Sequence, residues 1–145
     1  DFIDEFKLGV IIPYRINLLL INMGLERVIF INSQYGVVPP NPNLYEDQLL
    51  SSPIQYGVTK AAQLQLSKEL AIRFSKQKIL VNSIVLGGIA GRVDDQFKKK
   101  YSGFLPLERM LNDIELLPAV DFLLDKRNTA STGSSVVVDG GWTIQ

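Results

Sequence analysis

The sequence contains no cysteine and no histidine. Without cysteine there can be no disulfide bond and no thiolate metal site. Without either residue there can be no Cys-His or Ser-His-Asp catalysis, and the usual zinc sites are excluded as well. Any chemistry must therefore come from serine, tyrosine, lysine or carboxylate side chains, or from a bound cofactor, and no metal site is expected.

An excess of charge of one sign is also missing. Fifteen Lys and Arg residues balance fifteen Asp and Glu residues, so the net charge does not favour nucleic acid or an anionic membrane as a partner. The apolar run 18–21 is far too short to span a bilayer, and no signal peptide opens the chain. We expect a cytoplasmic protein. Because the chain starts at Asp1, without Met, inside a predicted helix, we also expect it to be a piece of a longer protein.

Predicted helices and strands alternate along the chain. Apolar residues recur every three or four positions over 2–23, which predicts a helix. Pro13 is expected to bend this helix or mark a boundary, and Gly24 to end it. Strands are predicted at 27–32, 79–86 and 134–138, and further helices at 52–76 and from Asn112 or Pro118 onward. This order predicts an α/β fold with a parallel sheet and helices on both faces. Three strands are few, so others should precede Asp1 or come from a partner.

The stretch 52–60 opens the second predicted helix. Ser52 is a suitable N-cap, Pro53 is tolerated at the first helical position, and Gln55 would complete a capping box with Ser52. Tyr56 and Lys60 then lie one turn apart on the same face. A nearby cation favours the phenolate over the phenol, so such a tyrosine can act as a general acid or base. The simpler alternative is a half-buried helix tyrosine beside a solvated lysine.

Polar and glycine residues follow all three predicted strands. Ser33 follows the first, Gly87-Gly88 the second and Asp139-Gly140-Gly141 the third, and Tyr56 opens the helix after the Ser33 loop. An ordinary turn would explain Ser33 alone, and a need for positive φ would explain the glycines. In an open parallel sheet, however, ligands bind beyond the carboxyl ends of the strands. The convergence of these residues at one edge therefore predicts a binding site there.

These motifs together resemble the short-chain dehydrogenase/reductase family over nearly the whole chain. The matching residues are Ser33 after Ile31-Asn32, Tyr56-x-x-x-Lys60, Val81-Asn82 before Gly87-Gly88-Ile89, and Val138-Asp139-Gly140-Gly141. Four further features resemble one bacterial branch, which is associated with flagellin modification and the synthesis of nonulosonic, sialic-acid-like sugars. They are Ser33-x-Tyr35-Gly36-Val37-Val38-Pro39, the long spacer between Ser33 and Tyr56, Pro106-Leu107-x-Arg109-Met110, and Gly141-Trp142.

The resemblance implies that residues 1–145 are the C-terminal part of a single Rossmann-type, doubly wound domain. It implies an NAD- or NADP-dependent oxidoreductase that transfers hydride between nicotinamide and a carbonyl or alcohol carbon of a small molecule, in this branch a sugar-related one. Tyr56 would be the acid/base, Lys60 would lower the pKa of the phenol and hold the nicotinamide ribose, and Ser33 would orient the substrate oxygen. Leu86, Gly87, Gly88 and Ile89 would join Tyr56 and Lys60 in binding the cofactor.

The sequence departs from the family pattern in three places. Gly9 stands where the family's catalytic helix usually carries an asparagine, and Leu86-Gly87 replaces the family's Pro-Gly. The family's N-terminal glycine-rich dinucleotide motif is absent from this sequence, and Gly87-Gly88-x-x-Gly91 does not replace it. An alternative of a different class is therefore a non-catalytic remnant or oligomerisation subunit that binds no dinucleotide.

The two long predicted helices carry more apolar surface than one sheet face can cover. Leu18 to Ile21 point in several directions around the first helix, and Val58, Ala62, Leu66 and Leu70 form one row on the second. Pairing with copies of the same helices would bury this surface, and the resemblance points the same way. We expect a homodimer or homotetramer; coverage by missing N-terminal elements is the alternative.

Overall fold

The computed structural model describes residues 1–46 and 52–145, and three parallel strands form its centre. They are β1 (Arg27–Ser33), β2 (Leu80–Leu86) and β3 (Ser135–Val138), in the spatial order β1-β2-β3. Ser33 lies opposite Leu86, and Leu86 lies opposite Val138. The three strands therefore end side by side, as the prediction of a site at this edge requires.

Helices cover both faces of the sheet, which confirms the predicted α/β fold. The helices are α1 (Phe2–Phe6), α2 (Ile12–Ile21), α3 (Ile54–Arg73), α4 (Asp95–Ser102) and α5 (Leu117–Leu124). On one face α3 packs against Val28, Phe30 and Val81, and on the other α5 packs against Ile84. Successive strand side chains point to opposite faces, so the short apolar runs supply both cores.

Helices α1 and α2 form one continuous segment with a π-helical turn at Lys7–Ile11 between them. Pro13 has no N–H to donate to the carbonyl four residues earlier, at Gly9, so regular α-helical bonding is interrupted there. This confirms the predicted disturbance at Pro13, and Gly24, at φ +85°, follows the helix as predicted. The predicted apolar face is not buried, however: in the helices α1 and α2 as described, only Asn17 is buried.

The predicted capping box at the start of α3 is wrong. The helix begins at Ile54, and Pro53 occupies the N-cap position with ψ 131°. Gln55 is therefore one position too early in the helix to close a box with Ser52. Of the predicted apolar row only Leu70 is buried, and Val58 is 50% exposed. Over the first four turns the buried positions are polar instead, and the buried residues of α3 are Thr59, Gln63, Ser67, Leu70 and Ala71.

A third, partly aromatic core lies beyond the carboxyl edge of the sheet. Its buried members are Leu44, Tyr101, Leu105, Met110 and Trp142. The segment before α5 is a 3₁₀ turn (Asp113–Leu116) in which Glu115 accepts a hydrogen bond from the Asn112 amide at 2.7 Å. Pro118 then stands in the first turn of α5. Of the two predicted helix starts, Asn112 therefore precedes the 3₁₀ turn and Pro118 lies at the start of the α-helix. No helix within the described ranges is long and apolar enough to cross a membrane.

Candidate active site

Two backbone segments meet at two points near the carboxyl edge because glycines leave no side chain between them. A Cβ atom on Gly36 would lie 2.8 Å from the carbonyl carbon of Lys60, and one on Gly57 would lie 3.0 Å from the carbonyl oxygen of Tyr35. Real Cβ atoms do not come so close to backbone. The 3₁₀ turn after Ser33 (Gln34–Gly36) therefore touches α3 directly, and this contact sets how the Ser33 loop sits against the helix that carries Tyr56.

Asn32 fixes the end of β1 to α3. Its buried side chain accepts a hydrogen bond from the Ser33 amide at 2.7 Å and donates one to the Lys60 carbonyl at 3.1 Å. The Ser33 hydroxyl accepts from the Tyr35 amide at 3.2 Å. A hydroxyl that accepts in this way still has its own hydrogen to donate. Ser33 is thus held in place with a donor left for a ligand.

Lys60 is half-buried rather than a freely solvated lysine. Its ammonium donates to the Ile31 carbonyl at 3.0 Å and to Gln63 Oε1 at 3.4 Å, and it lies 5.8 Å from the centre of the Tyr56 ring. Burial lowers the pKa of Lys60, against a smaller opposing effect of Glu5. An ammonium has three donors, so one is available to a ligand beside Tyr56.

Two cavities meet at this edge and share the predicted residues. The larger has a volume of about 670 Å³ and the smaller about 270 Å³. Ser33, Tyr56, Leu86, Gly87 and Ile89 line both; Lys60 lines only the larger and Gly88 only the smaller. The fold therefore brings all seven predicted site residues together, with Ser33 and Tyr56 at the boundary between the two spaces.

Close packing behind the site requires glycine at positions 87 and 88. A Cβ on Gly87 would lie 2.7 Å from Asp139 Cα, and one on Gly88 would lie 2.7 Å from Tyr101 Cζ. The Tyr101 hydroxyl also accepts a hydrogen bond from the Gly88 amide at 2.8 Å and donates one to Gln34 Oε1 at 2.8 Å. The turn after β2 is thus braced from α4, a contact that the sequence patterns did not predict.

The smaller cavity has an aromatic wall. Tyr35, Tyr45, Phe97 and Tyr101 contribute to it, and the Tyr35 and Tyr45 hydroxyls are 3.2 Å apart. Burial raises the pKa of Tyr35 and of Tyr101, so both phenols stay neutral. No charged residue of the described ranges lines this cavity. It therefore offers ring faces and neutral hydroxyl groups to whatever enters it.

The third strand end has a structural explanation. Asp139 accepts hydrogen bonds from the Gly141 amide at 2.8 Å and from the Thr143 amide and hydroxyl at 2.8 and 2.7 Å. Gly140 and Gly141 have positive φ, at 66° and 91°. This segment closes a turn and supports Gly87 from behind. It lines neither of the two cavities.

The larger cavity fits the nicotinamide and ribose end of a dinucleotide. Its volume lies within the range usual for cofactor sites. The free donor of Lys60 suits a ribose hydroxyl, and Gly87 and Ile89 contribute uncharged wall. Lys60 is the single cation among the described lining residues and Asp113 adds a negative charge, so the described residues account for one end of such a cofactor.

Comparisons with known proteins identify the family to which the chain is similar. A family model described as Enoyl-(Acyl carrier protein) reductase matches residues 46–143. Post-translational flagellin modification protein A of Campylobacter coli is 31% identical over 117 residues, which cover 81% of this chain and 46% of that protein. Glucose 1-dehydrogenase of Gluconobacter oxydans is 28% identical over 144 residues, which cover 94% of this chain and 50% of that protein.

A solved structure is similar over almost the whole chain. The short chain dehydrogenase from Leptospira borgpetersenii with bound NAD⁺ superposes with a TM-score of 0.88 at 28% identity, covering 99% of this chain and 56% of that one. The chain therefore spans about half the length of the relatives it matches.

Proposed function

Because the chain belongs to the short-chain dehydrogenase/reductase family, we propose that it is the C-terminal part of a single Rossmann-type oxidoreductase domain. The reaction is hydride transfer between NAD or NADP and a carbonyl or alcohol carbon. One observation carries this proposal: Ser33 and Tyr56 stand where a cavity suited to nicotinamide meets a second, smaller cavity. A substrate oxygen in the smaller cavity would lie beside both residues, since both line it.

Each site residue has a distinct task in the proposed reaction. When bound, the cofactor supplies or accepts the hydride. Tyr56 exchanges a proton with the substrate oxygen, and the Ser33 hydroxyl donates a hydrogen bond to that oxygen as charge develops on it. Lys60 favours the phenolate of Tyr56 and binds the ribose through its free donor. Leu86, Gly87 and Ile89 form the wall against which the nicotinamide lies, whereas Gly88, predicted to join them, lines only the smaller cavity.

We propose a neutral, hydroxylated, sugar-related substrate. The smaller cavity combines ring faces with the hydroxyls of Tyr35, Tyr45 and Tyr101 and has no charge among its described lining residues. Sugar rings present apolar C–H faces and hydroxyls together, which suits such a wall. The relative named glucose 1-dehydrogenase supports the same substrate class.

We further propose that the complete protein is a homodimer or homotetramer. Large apolar side chains are exposed on α1–α2 and on α3, among them Ile3, Leu8, Leu19 and Ile72. Packing these faces against their copies buries them, and closed symmetric assemblies are the common result.

A nicotinamide assay on the complete protein tests the activity. It would be incubated with NAD⁺ or NADP⁺ and a panel of neutral sugars and polyols, each paired with its phosphorylated derivative, while reduced nicotinamide is followed at its absorbance maximum. Turnover with neutral members and at least tenfold lower kcat/KM with the phosphorylated partners is expected. Failure to bind either nucleotide in calorimetry, with no turnover, would instead support a non-catalytic oligomerisation subunit.

A further inference from the structure

Gln63 is a buried polar residue directly beside the candidate active site. It lies on α3, three positions after Lys60, with 6% of its surface exposed. Its Nε2 donates to the Gly9 carbonyl at 2.8 Å, and its Oε1 accepts from Lys60 Nζ at 3.4 Å and from Asn32 Nδ2 at 3.3 Å. One amide thus connects the ammonium of Lys60, the end of β1 and the π-helical turn.

The interruption at Pro13 explains why the Gly9 carbonyl is available to this amide. An unbroken helix would satisfy that carbonyl with the N–H four residues later, which proline lacks. Gly9 also has to be glycine, because a Cβ there would lie 2.3 Å from Thr59 Cγ2. The first helical segment therefore approaches α3 closely at this point, and Gln63 bonds to it across the contact.

The orientation of the Gln63 amide is determined by its neighbours. Its oxygen must face the two donors, Lys60 and Asn32, and its nitrogen must face the Gly9 carbonyl, since the reverse would place like groups together. A buried amide that is bonded through both its oxygen and its nitrogen is held in one orientation. The ammonium of Lys60 is thus restrained by two acceptors on two different elements, the Ile31 carbonyl of β1 and Gln63 of α3.

We propose that Gln63 is a positioning residue that holds the Lys60 ammonium beside Tyr56 and links its position to the first helical segment through the Gly9 carbonyl. This inference rests on the proposed function for its catalytic meaning, whereas the restraint on Lys60 itself does not depend on turnover. The ionisable groups around Lys60 are Glu5 of α1, Tyr56 of α3 and Asp113 on the cavity wall.

The test compares Gln63→Glu and Gln63→Met with the matched variants Gln65→Glu and Gln65→Met in the complete protein. Gln65 lies on the same helix and is exposed. The pKa of Lys60 would be followed by NMR of ¹³C-labelled lysine, assigned with Lys60→Arg, without cofactor. Gln63→Glu should raise it, because a carboxylate favours the ammonium, and Gln63→Met should lower it, because an acceptor is lost. Both Gln65 variants should leave it unchanged.

The pH–rate profile supplies the second readout. Gln63→Glu should move the rising limb of alcohol oxidation to higher pH, since its carboxylate offsets the cation that favours the phenolate, and both Gln63 variants should lower kcat roughly 10- to 100-fold. If both Gln63 variants lose stability but leave the pKa of Lys60 unchanged, the proposal is overturned and Gln63 is a packing residue. If the pKa of Lys60 rises in Gln63→Glu and falls in Gln63→Met but the complete protein shows no turnover, the restraint on Lys60 is supported and only the proposed function is refuted.

Discussion

The carboxyl edge of the sheet and the helical segment α1–α2 have opposite distributions of polar and apolar side chains. At the edge, Asn32, Ser33 and Gln63 are buried, and each has hydrogen-bond partners within the described chain. On the helical segment, by contrast, Ile3 and Leu19 are 76% and 68% exposed. Burying polar groups is costly unless they are paired, and exposing apolar ones invites association. The site is therefore arranged by contacts within this chain, whereas the helical surface needs a covering from outside it.

The largest effect expected at the edge concerns Lys60. Lys60→Ala removes both the cation beside Tyr56 and the donor proposed for the ribose, so kcat/KM should fall by about 10²–10⁴ and nucleotide affinity should weaken. The pH–rate profile should also move to higher pH. Lys68→Ala, at an exposed position of the same helix, is the control. Unchanged nucleotide affinity and an unchanged pH profile would show that Lys60 is a bystander.

The glycine contact between the Ser33 turn and α3 comes next. Gly36→Ala forces a Cβ against the Lys60 backbone, and overpacking of this kind costs about 1–3 kcal/mol of stability. Activity should fall more than the fraction folded, because the turn that carries Ser33 moves relative to Tyr56. Gly103→Ala, where a Cβ would lie 3.4 Å from its nearest neighbour, the Lys100 carbonyl oxygen, and which lines neither cavity, should change neither. Equal behaviour of the two variants in urea unfolding and in turnover would contradict the argument.

The exposed helical surfaces are tested by assembly rather than by turnover. Leu19→Glu on α2 and Ile72→Glu on α3, which is 73% exposed, should lower the weight-average mass of the complete protein in sedimentation at micromolar concentration. Gln65→Glu, which adds the same charge at an exposed polar site, should not. A wild-type monomer whose mass is unaffected by these changes would show that other segments of the same chain cover the surface.

The smallest effect concerns the rim of the site. Arg109 forms an ion pair with Glu115 at 2.6 Å. Nearby, the Leu111 amide donates a hydrogen bond to the Gly88 carbonyl, and the Leu111 carbonyl accepts one from the Ala90 amide. The Arg109 hydrogen bond, followed by that of the Asn112 amide, lowers the pKa of Glu115 from 4.5 to about 2. Its stabilising contribution is then complete above pH 4.5 and is lost as the pH falls towards 2. In urea unfolding, the difference in free energy of unfolding between wild type and Glu115→Gln should therefore shrink as the pH falls from 4.5 towards 2. A difference that stays constant over this pH range would contradict the prediction.

Much of the fold and of the site follows from local sequence patterns. Short apolar runs located β1, β2 and β3, and the residues after them meet at one edge because parallel strands end together. The capping box at Ser52 was wrong because Pro53 takes the N-cap position itself. The buried face of α3 was misassigned because Thr59, Gln63 and Ser67 are polar. Ser67 and Gln63 are paired there with Ser83 and the Gly9 carbonyl, whereas the buried Thr59 hydroxyl has no partner among the described residues. Their four-residue spacing was the available signal.

The hydroxyl of Tyr56 tests the central claim most directly. Tyr56→Phe in the complete protein removes only that oxygen, so circular dichroism, the unfolding midpoint and nucleotide affinity should stay close to those of wild type. With [4-²H]-labelled reduced nicotinamide and a carbonyl substrate accepted by the wild type, deuterium transfer to product should fall by at least about 10²-fold. Transfer within a few-fold of wild type would contradict the assignment of Tyr56 as the proton donor, and with it the account of this edge as an active site.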